Sequence, residues 1–452
     1  MQPKKLLSLF DLSMIVISFV IGMGIFRTPV SVAANAQIPE LFFLAWIIGG
    51  IFSYFGALIY AELGSRFPVT GAYYKVFSVS YHPSFAFAIN CIVIMTIAAS
   101  IAGVTLIGSE YLANVMLPPD MQTDQNELII AIIGILFLFG INLLGLRTSS
   151  KVQNIITVIK IGLVLTLICA VFTGGQAQHI TPVFKTASGG LPGWWDYGKT
   201  LGLCMIAINF SFTGYPQTIN LGGEVRDAKR TLPRGIVLGL LIIITLYLLI
   251  NYTYVKVIGF EQLKTAQSIA SILAGKIFGP AGYTILSVII FISVLGFVNV
   301  NLLSIPRSMF AMAEEKAIPS VFTRKNSKTD VMTVSLSTFV ALIIATLVFA
   351  KTFDKILNYS ILLECLATAS AGASLFFLRK KTAGLNTENI YTIKWFPLIP
   401  ILFISFTIFV GVSIYLSDPA TALSGLLILA GFMLIYFISK LFNKKTSILN
   451  AD

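Results

Sequence analysis

Charge is scarce in this chain: of 452 residues only 11% are Asp, Glu, Lys or Arg, while 56% are hydrophobic. Soluble domains carry roughly a quarter charged residues, so a soluble globular fold is excluded. Histidine is nearly absent. The two copies, His82 and His179, fall in loops on opposite sides of the apolar runs, with no His-Glu-x-x-His and no paired intramembrane aspartates, which argues against a membrane-embedded enzyme. The four cysteines, Cys91, Cys169, Cys204 and Cys365, lie in apolar runs without a Cys-x-x-Cys pair or a neighbouring histidine, so they read as packing residues. No metal site and no cofactor is expected. A Gly-x-x-x-x-Gly-Lys loop and a nucleotide domain are also missing, which argues against primary pumping.

Long apolar runs take up most of the chain. Windows of about 20 residues free of charge runs give roughly twelve candidate membrane helices, joined by short connections. These spans are expected near 8–36, 40–64, 85–115, 127–146, 150–173, 197–222, 234–257, 281–312, 331–350, 355–378, 396–416 and 420–441. The fold class is therefore an all-α polytopic membrane protein. Lys4 and Lys5 precede an apolar stretch too long for a signal-peptide core, so the first span reads as an uncleaved anchor.

The formal net charge is +12, yet the Lys and Arg residues sit between apolar runs and not in a stripe with interleaved aromatics. No nucleic-acid partner is expected. When alternate loops are assigned to the two sides, one side collects Lys4, Lys5, Arg66, Lys75, Arg147, Lys151, Arg226, Arg307, Arg324, Lys325, Arg379 and Lys440, among others. The other keeps only Lys185, Lys199, Lys256, Lys264, Lys276, Lys351 and Lys355. The positive-inside rule makes the first set cytoplasmic, with both termini inside a cytoplasmic membrane.

Two spans carry breaks. In the first, Gly22-Met23-Gly24 interrupts the apolar run, followed by Thr28-Pro29; in the sixth, Phe212-Thr213-Gly214-Tyr215-Pro216-Gln217 does the same. Gly and Pro are common in membrane helices and can mark simple kinks. Breaks in spans one and six, five apart, are however where two inverted five-helix repeats would put them. Unpaired backbone at bilayer depth requires a polar cavity or protein cover. Facing half-helix ends, one partly positive and one partly negative, suit a zwitterion such as an amino acid. N–H groups around Gly24, Ile25 and Phe26 would face its carboxylate, and carbonyls near Ile21 and Phe210 its ammonium.

At these residues the chain resembles the amino acid-polyamine-organocation superfamily, in particular its bacterial amino acid permeases. Gly22-Met23-Gly24-Ile25-Phe26 looks like that family's Gly-x-Gly-Ile-Phe, and Ala61-Glu62-Leu63-Gly64-Ser65-Arg66-Phe67-Pro68-Val69-Thr70-Gly71-Ala72-Tyr73-Tyr74 like its second-span and first inner-loop motif. Further matches run from Glu224 to Arg234 and from Asn299 through Arg307 to Pro319. The resemblance implies a first repeat at 1–173, a second inverted repeat at 174–380, and two peripheral helices with a tail at 381–452. It also implies a substrate site between spans one, three, six and eight. The substrate set expected is Ile21, Met23, Gly24, Ile25, Phe210, Phe212, Gly214, Tyr215 and Asn299, with Phe210 covering the substrate from outside. Met23 and Ser18 depart from the small residue and the glycine usual at their positions.

Lys160 lies about ten residues into span five, where an ionised amine costs roughly 3 kcal/mol or more without a partner. A lysine snorkelling to the inner surface is one reading; an internal cation tying span five to the freed carbonyls of span one is the other. In sodium-independent members of the resembling family a lysine at this position occupies the place of the sodium ion. Such a lysine is either a fixed strut or a proton carrier. The coupling set is thus Lys160, Ser18, Ser293 and Glu364, the last being mid-span and either a proton relay or a neutral hydrogen-bonding group. Arg27 reads as a vestibule residue or a salt-bridge partner, Glu110 as an outer-rim group. Glu62 and Arg66 are positioned for an inner ion-pair network with Arg226 or Arg307.

Phe210, Phe212, Tyr215 and Met23 would line an apolar side-chain pocket with no acidic residue near the breaks. A neutral substrate follows, unless Glu364 reaches the site. The leading reading is a sodium-independent secondary transporter of neutral L-amino acids, working by exchange or facilitated uptake as a monomer or weak homo-oligomer in the lipid bilayer. The alternatives are a proton-coupled amino acid or organic amine symporter and a nutrient receptor with a transporter fold.

Overall fold

Each long apolar run folds into a helix, because a backbone in hydrocarbon must satisfy its own hydrogen bonds. The computed structural model describes residues 5–173, 193–266, 268–349, 353–381 and 389–449; Lys4, His179, Lys185 and Lys351 lie outside these. The helices are α1 (Leu9–Val20), α2 (Gly24–Ala36), α3 (Pro39–Arg66), α4 (Ala72–Ser80), α5 (Pro83–Met116), α6 (Asp124–Leu143), α7 (Leu146–Cys169) and α8 (Trp194–Ser211). They continue as α9 (Ala228–Ile258), α10 (Phe260–Leu263), α11 (Ile269–Phe278), α12 (Gly282–Glu314), α13 (Thr333–Val348), α14 (Phe353–Lys381), α15 (Leu398–Ser417) and α16 (Pro419–Leu449). No strand occurs among the described residues beyond the isolated bridges Leu7–Val225 and Thr70–Leu221.

Local sequence explains several helix starts. Ser8 and Asp11 form a capping box, the Asp11 N–H donating to Ser8 Oγ at 3.3 Å and the Ser8 N–H to Asp11 Oδ2 at 2.9 Å. Pro39 and Pro83 open α3 and α5, where a missing N–H costs nothing. The short helices α4 and α11 had no apolar run long enough to announce them. Among the described residues nine helices are long and apolar enough to cross a membrane, or ten when α1 and α2, bent by 45°, count as one span. The expected count of twelve also includes α13, only 16 residues long, and α8 with the 3-10 turn Tyr215–Asn220 behind it.

Burial divides the bundle. The apolar stretch ending at Glu314 is 61% buried, whereas those of α6, α15 and α16 are 28%, 33% and 17% buried and form the rim. At the centre α1 packs on α9 and α7, and α12 packs on α5 and α7. The loops assigned to the cytoplasmic side are joined into one layer. Arg226 N–H donates to Leu7 O at 3.0 Å, Lys75 pairs with Glu315 at 2.6 Å, Arg307 with Glu224 at 3.0 Å, and Arg230 bonds Asn389 at 2.7 Å. At the opposite end Lys276 donates to Val257 O at 2.6 Å.

The inner network differs in its partners from the expected one. Glu62, fully buried, holds Arg66 at 2.8 Å and Arg379 at 2.6 Å, and also accepts the Ile393 N–H at 2.8 Å. Arg307 goes to Glu224, and Arg226 to the Lys5 carbonyl at 3.4 Å. Glu62 reaches Arg379 because the end of α14 lies against α3, a tertiary contact invisible in the sequence.

Candidate functional site

Both breaks are present. Helix α1 ends at Val20, Ile21 takes an extended conformation (φ −73°, ψ 94°), and α2 restarts at Gly24 with no side chain capping its first turn. In the sixth span α8 ends at Ser211, and Gly214 sits at φ +98° before the 3-10 turn. Only glycine suits that position: a Cβ there would lie 2.8 Å from the Phe19 carbonyl oxygen. The two breaks therefore cross in contact. Gly24 also lies against the sixth span, since a Cβ there would be 3.1 Å from Ser211 Oγ.

The negative end of α1 is satisfied by the protein itself. Lys160, on α7 and 1% exposed, donates to the Ser18 carbonyl at 3.3 Å, to Ser18 Oγ at 3.0 Å and to the Ile21 carbonyl at 2.9 Å. Three acceptors match the three protons of an ammonium group. Ser18 Oγ donates its own hydrogen bond to Gly296 O at 3.3 Å, and Gly296 is open enough for the Lys160 stem, which a Cβ there would meet at 2.8 Å. Two tyrosines complete the cover: Tyr247 donates to Val20 O at 2.9 Å, and Tyr254 to Ile25 O at 3.3 Å. These tyrosines and Gly296 carried no motif; only the contacts reveal them.

Beside the breaks lies a cavity of about 150 Å³ lined by α1, α2, α4, α5, α8, α12 and α14. This is below the roughly 300–1,000 Å³ of sites for drug-sized ligands and suits a small solute. Met23, Gly24, Phe210 and Gly214 line it, as does Gly22. Phe210 is 43% exposed. Ser211 also lines the cavity, its buried hydroxyl free of any hydrogen bond to a described residue.

Other expected residues sit elsewhere. Ile21 and Ile25 are buried beside the cavity and contribute carbonyls to Lys160 and Tyr254. Phe212 packs on Trp46 and Tyr247, at ring distances of 6.1 and 5.1 Å. Tyr215 meets the edge of Tyr60 at 5.8 Å, with its hydroxyl against Gly56. Asn299 clamps α12 to α6 and α7, accepting from Asn142 at 2.8 Å and donating to Gln153 Oε1 at 2.8 Å. Asn301 lines the cavity instead; two residues along a helix turn a side chain by about 200°. Ser293 is 3% exposed, one turn before Gly296. Arg27 is exposed and forms no ion pair among the described residues, and Glu110 is exposed.

Glu364 does reach the cavity. It lines one wall with Thr368 and with Tyr73 of α4. Burial holds the Tyr73 phenol above its ordinary range, with the nearby Glu364 adding to the effect, so Tyr73 is a neutral hydroxyl. The condition attached to the neutral pocket, that no acidic group reaches the site, is not met.

The arrangement offers half-helix ends, an apolar wall and one carboxyl, and among the described residues it holds no reactive constellation. Comparison with known proteins agrees. The amino acid permease family model matches residues 7–438. The serine/threonine exchanger SteT of Bacillus subtilis is 29% identical over 448 residues, covering 97% of each chain. The human large neutral amino acids transporter small subunit 2 is 26% identical over 442 residues, covering 96% of this chain and 80% of its own. The human cystine/glutamate transporter is 25% identical over 460 residues, covering 98% and 87%. With broken spans crossing at a small cavity and a family match along nearly its whole length, this transport protein belongs to the amino acid permease family.

Proposed function

We propose that the chain is a sodium-independent exchanger of small neutral L-amino acids, with the substrate held between the two broken spans. The carboxylate meets the uncapped start of α2 at Gly24, and the ammonium meets carbonyls at the end of α8, those of Ser18, Val20 and Ile21 at the end of α1 being held by Lys160 and Tyr247. Met23 and Phe210 flank the side chain. Two inverted five-helix repeats, 1–173 and 174–380, rock around this site, and α15 and α16 stay outside. The membrane is the cytoplasmic one, with the basic loop layer and both termini inside. The names of the relatives, a serine/threonine exchanger and a large neutral amino acid transporter, favour neutral substrates and exchange.

One observation carries the sodium reading: the Lys160 ammonium donates to Ser18 and Ile21 at the carbonyl end of α1. A cation is favoured there because the carbonyl end of a half-helix carries partial negative charge. A fixed ammonium supplies what a sodium ion would otherwise bring. Uptake of labelled serine, threonine or alanine into proteoliposomes should be unchanged when choline replaces sodium. Strict sodium dependence overturns the reading.

A further inference from the structure

Glu364 is the one charged residue among those lining the cavity, and no hydrogen bond or ion pair joins its carboxyl to a described residue. A carboxyl group of this kind, away from bulk water and without a hydrogen-bond partner, costs free energy unless something completes it. The half-helix ends that take the main-chain carboxylate and ammonium belong to α2 and α8. Glu364 and Thr368 belong to α14, and Tyr73 to α4. The wall they form is therefore left over for the third part of an amino acid, its side chain.

We propose that Glu364 is a specificity-determining residue that accepts a hydrogen bond from a side-chain hydroxyl, so that the substrates are short hydroxylated amino acids. This rests on the neutral amino acid reading above and narrows it. A carboxyl group keeps an acceptor oxygen whether ionised or protonated, so a hydroxyl is satisfied in either state. A methyl group in the same place leaves the carboxyl unpaired, and it is this unpaired group that rejects the isostere. The cavity of about 150 Å³ limits the side chain to a few heavy atoms. Thr368 and Tyr73 add hydroxyls to the same wall.

The test uses isosteric pairs on the purified full-length protein: serine with alanine, and threonine with valine, as competitors of labelled substrate exchange in proteoliposomes. Wild type should prefer threonine over valine by about tenfold or more. Glu364→Leu should bring that ratio within about threefold by weakening threonine and not valine, and Glu364→Gln, which keeps an acceptor oxygen, should retain most of the preference. Retained valine exchange shows that Glu364→Leu is folded. A wild type indifferent to the hydroxyl overturns the proposal without any variant, as does a preference that survives Glu364→Leu. A preference for a short diamino acid over serine, lost in Glu364→Gln, also overturns it, because the carboxylate is then an ammonium partner. If no neutral amino acid competes at all, the underlying transport reading fails, an outcome distinct from a flat threonine-to-valine ratio.

Discussion

Gly22 and Gly24 stand two residues apart in the first break, and the structure assigns them different sensitivities. A Cβ on Gly22 meets nothing within 4 Å, and Gly22 lines the cavity. A Cβ on Gly24 lies 3.1 Å from Ser211 Oγ and 3.4 Å from Ser211 Cα, so it also presses the two broken spans apart. Gly22→Ala should therefore leave the thermal midpoint unchanged, or raise it slightly through lost chain entropy. It should cost binding. One methyl group in a fitted pocket costs about 1–3 kcal/mol, or roughly 10–200-fold in affinity. Gly24→Ala should lower stability by about 1 kcal/mol or more, from overpacking against Ser211. Gly24→Leu should abolish binding. Ligand-induced thermal stabilisation measures both quantities in one experiment, because stabilisation follows ligand occupancy. If Gly22→Ala binds serine and threonine as wild type does, the substrate is not at the first break.

Three further outcomes follow from contacts away from the cavity's centre. Lys160→Met removes the donor to Ser18 and Ile21 and should lower stability by about 1–3 kcal/mol in detergent, for the buried carbonyl left without a partner; a wild-type thermal midpoint would contradict the strut role. Glu62→Gln leaves Arg66 and Arg379 facing a neutral group in a buried site and should cost about 3–5 kcal/mol, read as a fall in melting temperature larger than that of any surface variant. Asn299→Ala should destabilise the α6–α7–α12 clamp with substrate affinity unchanged, whereas Asn301→Ala should alter affinity with little loss of stability; the reverse pattern in a binding titration would contradict the facing of the two side chains.

The spans were readable in the sequence because the bilayer demands long apolar runs, and most of their ends were placed within a few residues, although the helix expected to reach 222 stops at Ser211, the one expected from 234 starts at Ala228 and the one expected to end at 441 runs to Leu449. Expected 40–64 is Pro39–Arg66, and expected 281–312 is Gly282–Glu314. The breaks were readable because glycine and proline interrupt those runs. What lay hidden was lateral. Which face of α12 meets the cavity is a question of helix rotation, and 100° per residue separates Asn299 from Asn301 twice over. Phe212 and Tyr215 sit at the break, yet the turn after Ser211 sends their rings to Trp46 and Tyr60, and no pattern in a six-residue segment fixes that direction. Lys160 was visible as a charge in an apolar run, but its three acceptors were not. Glu364 was visible in the same way. Its arrival at the cavity depends on how α14 packs against α4 and α5.

The central claim is that the cavity between the broken spans carries neutral amino acids by exchange. Its most direct measurement is uptake of labelled threonine by proteoliposomes that are either empty or preloaded with unlabelled serine, in choline buffer with equal pH on both sides. Preloading should accelerate uptake severalfold, and Gly22→Ala should lower the rate of both at subsaturating substrate. Equal rates with and without internal serine, together with accumulation only under an imposed pH gradient, would contradict exchange and establish proton-driven uptake in its place.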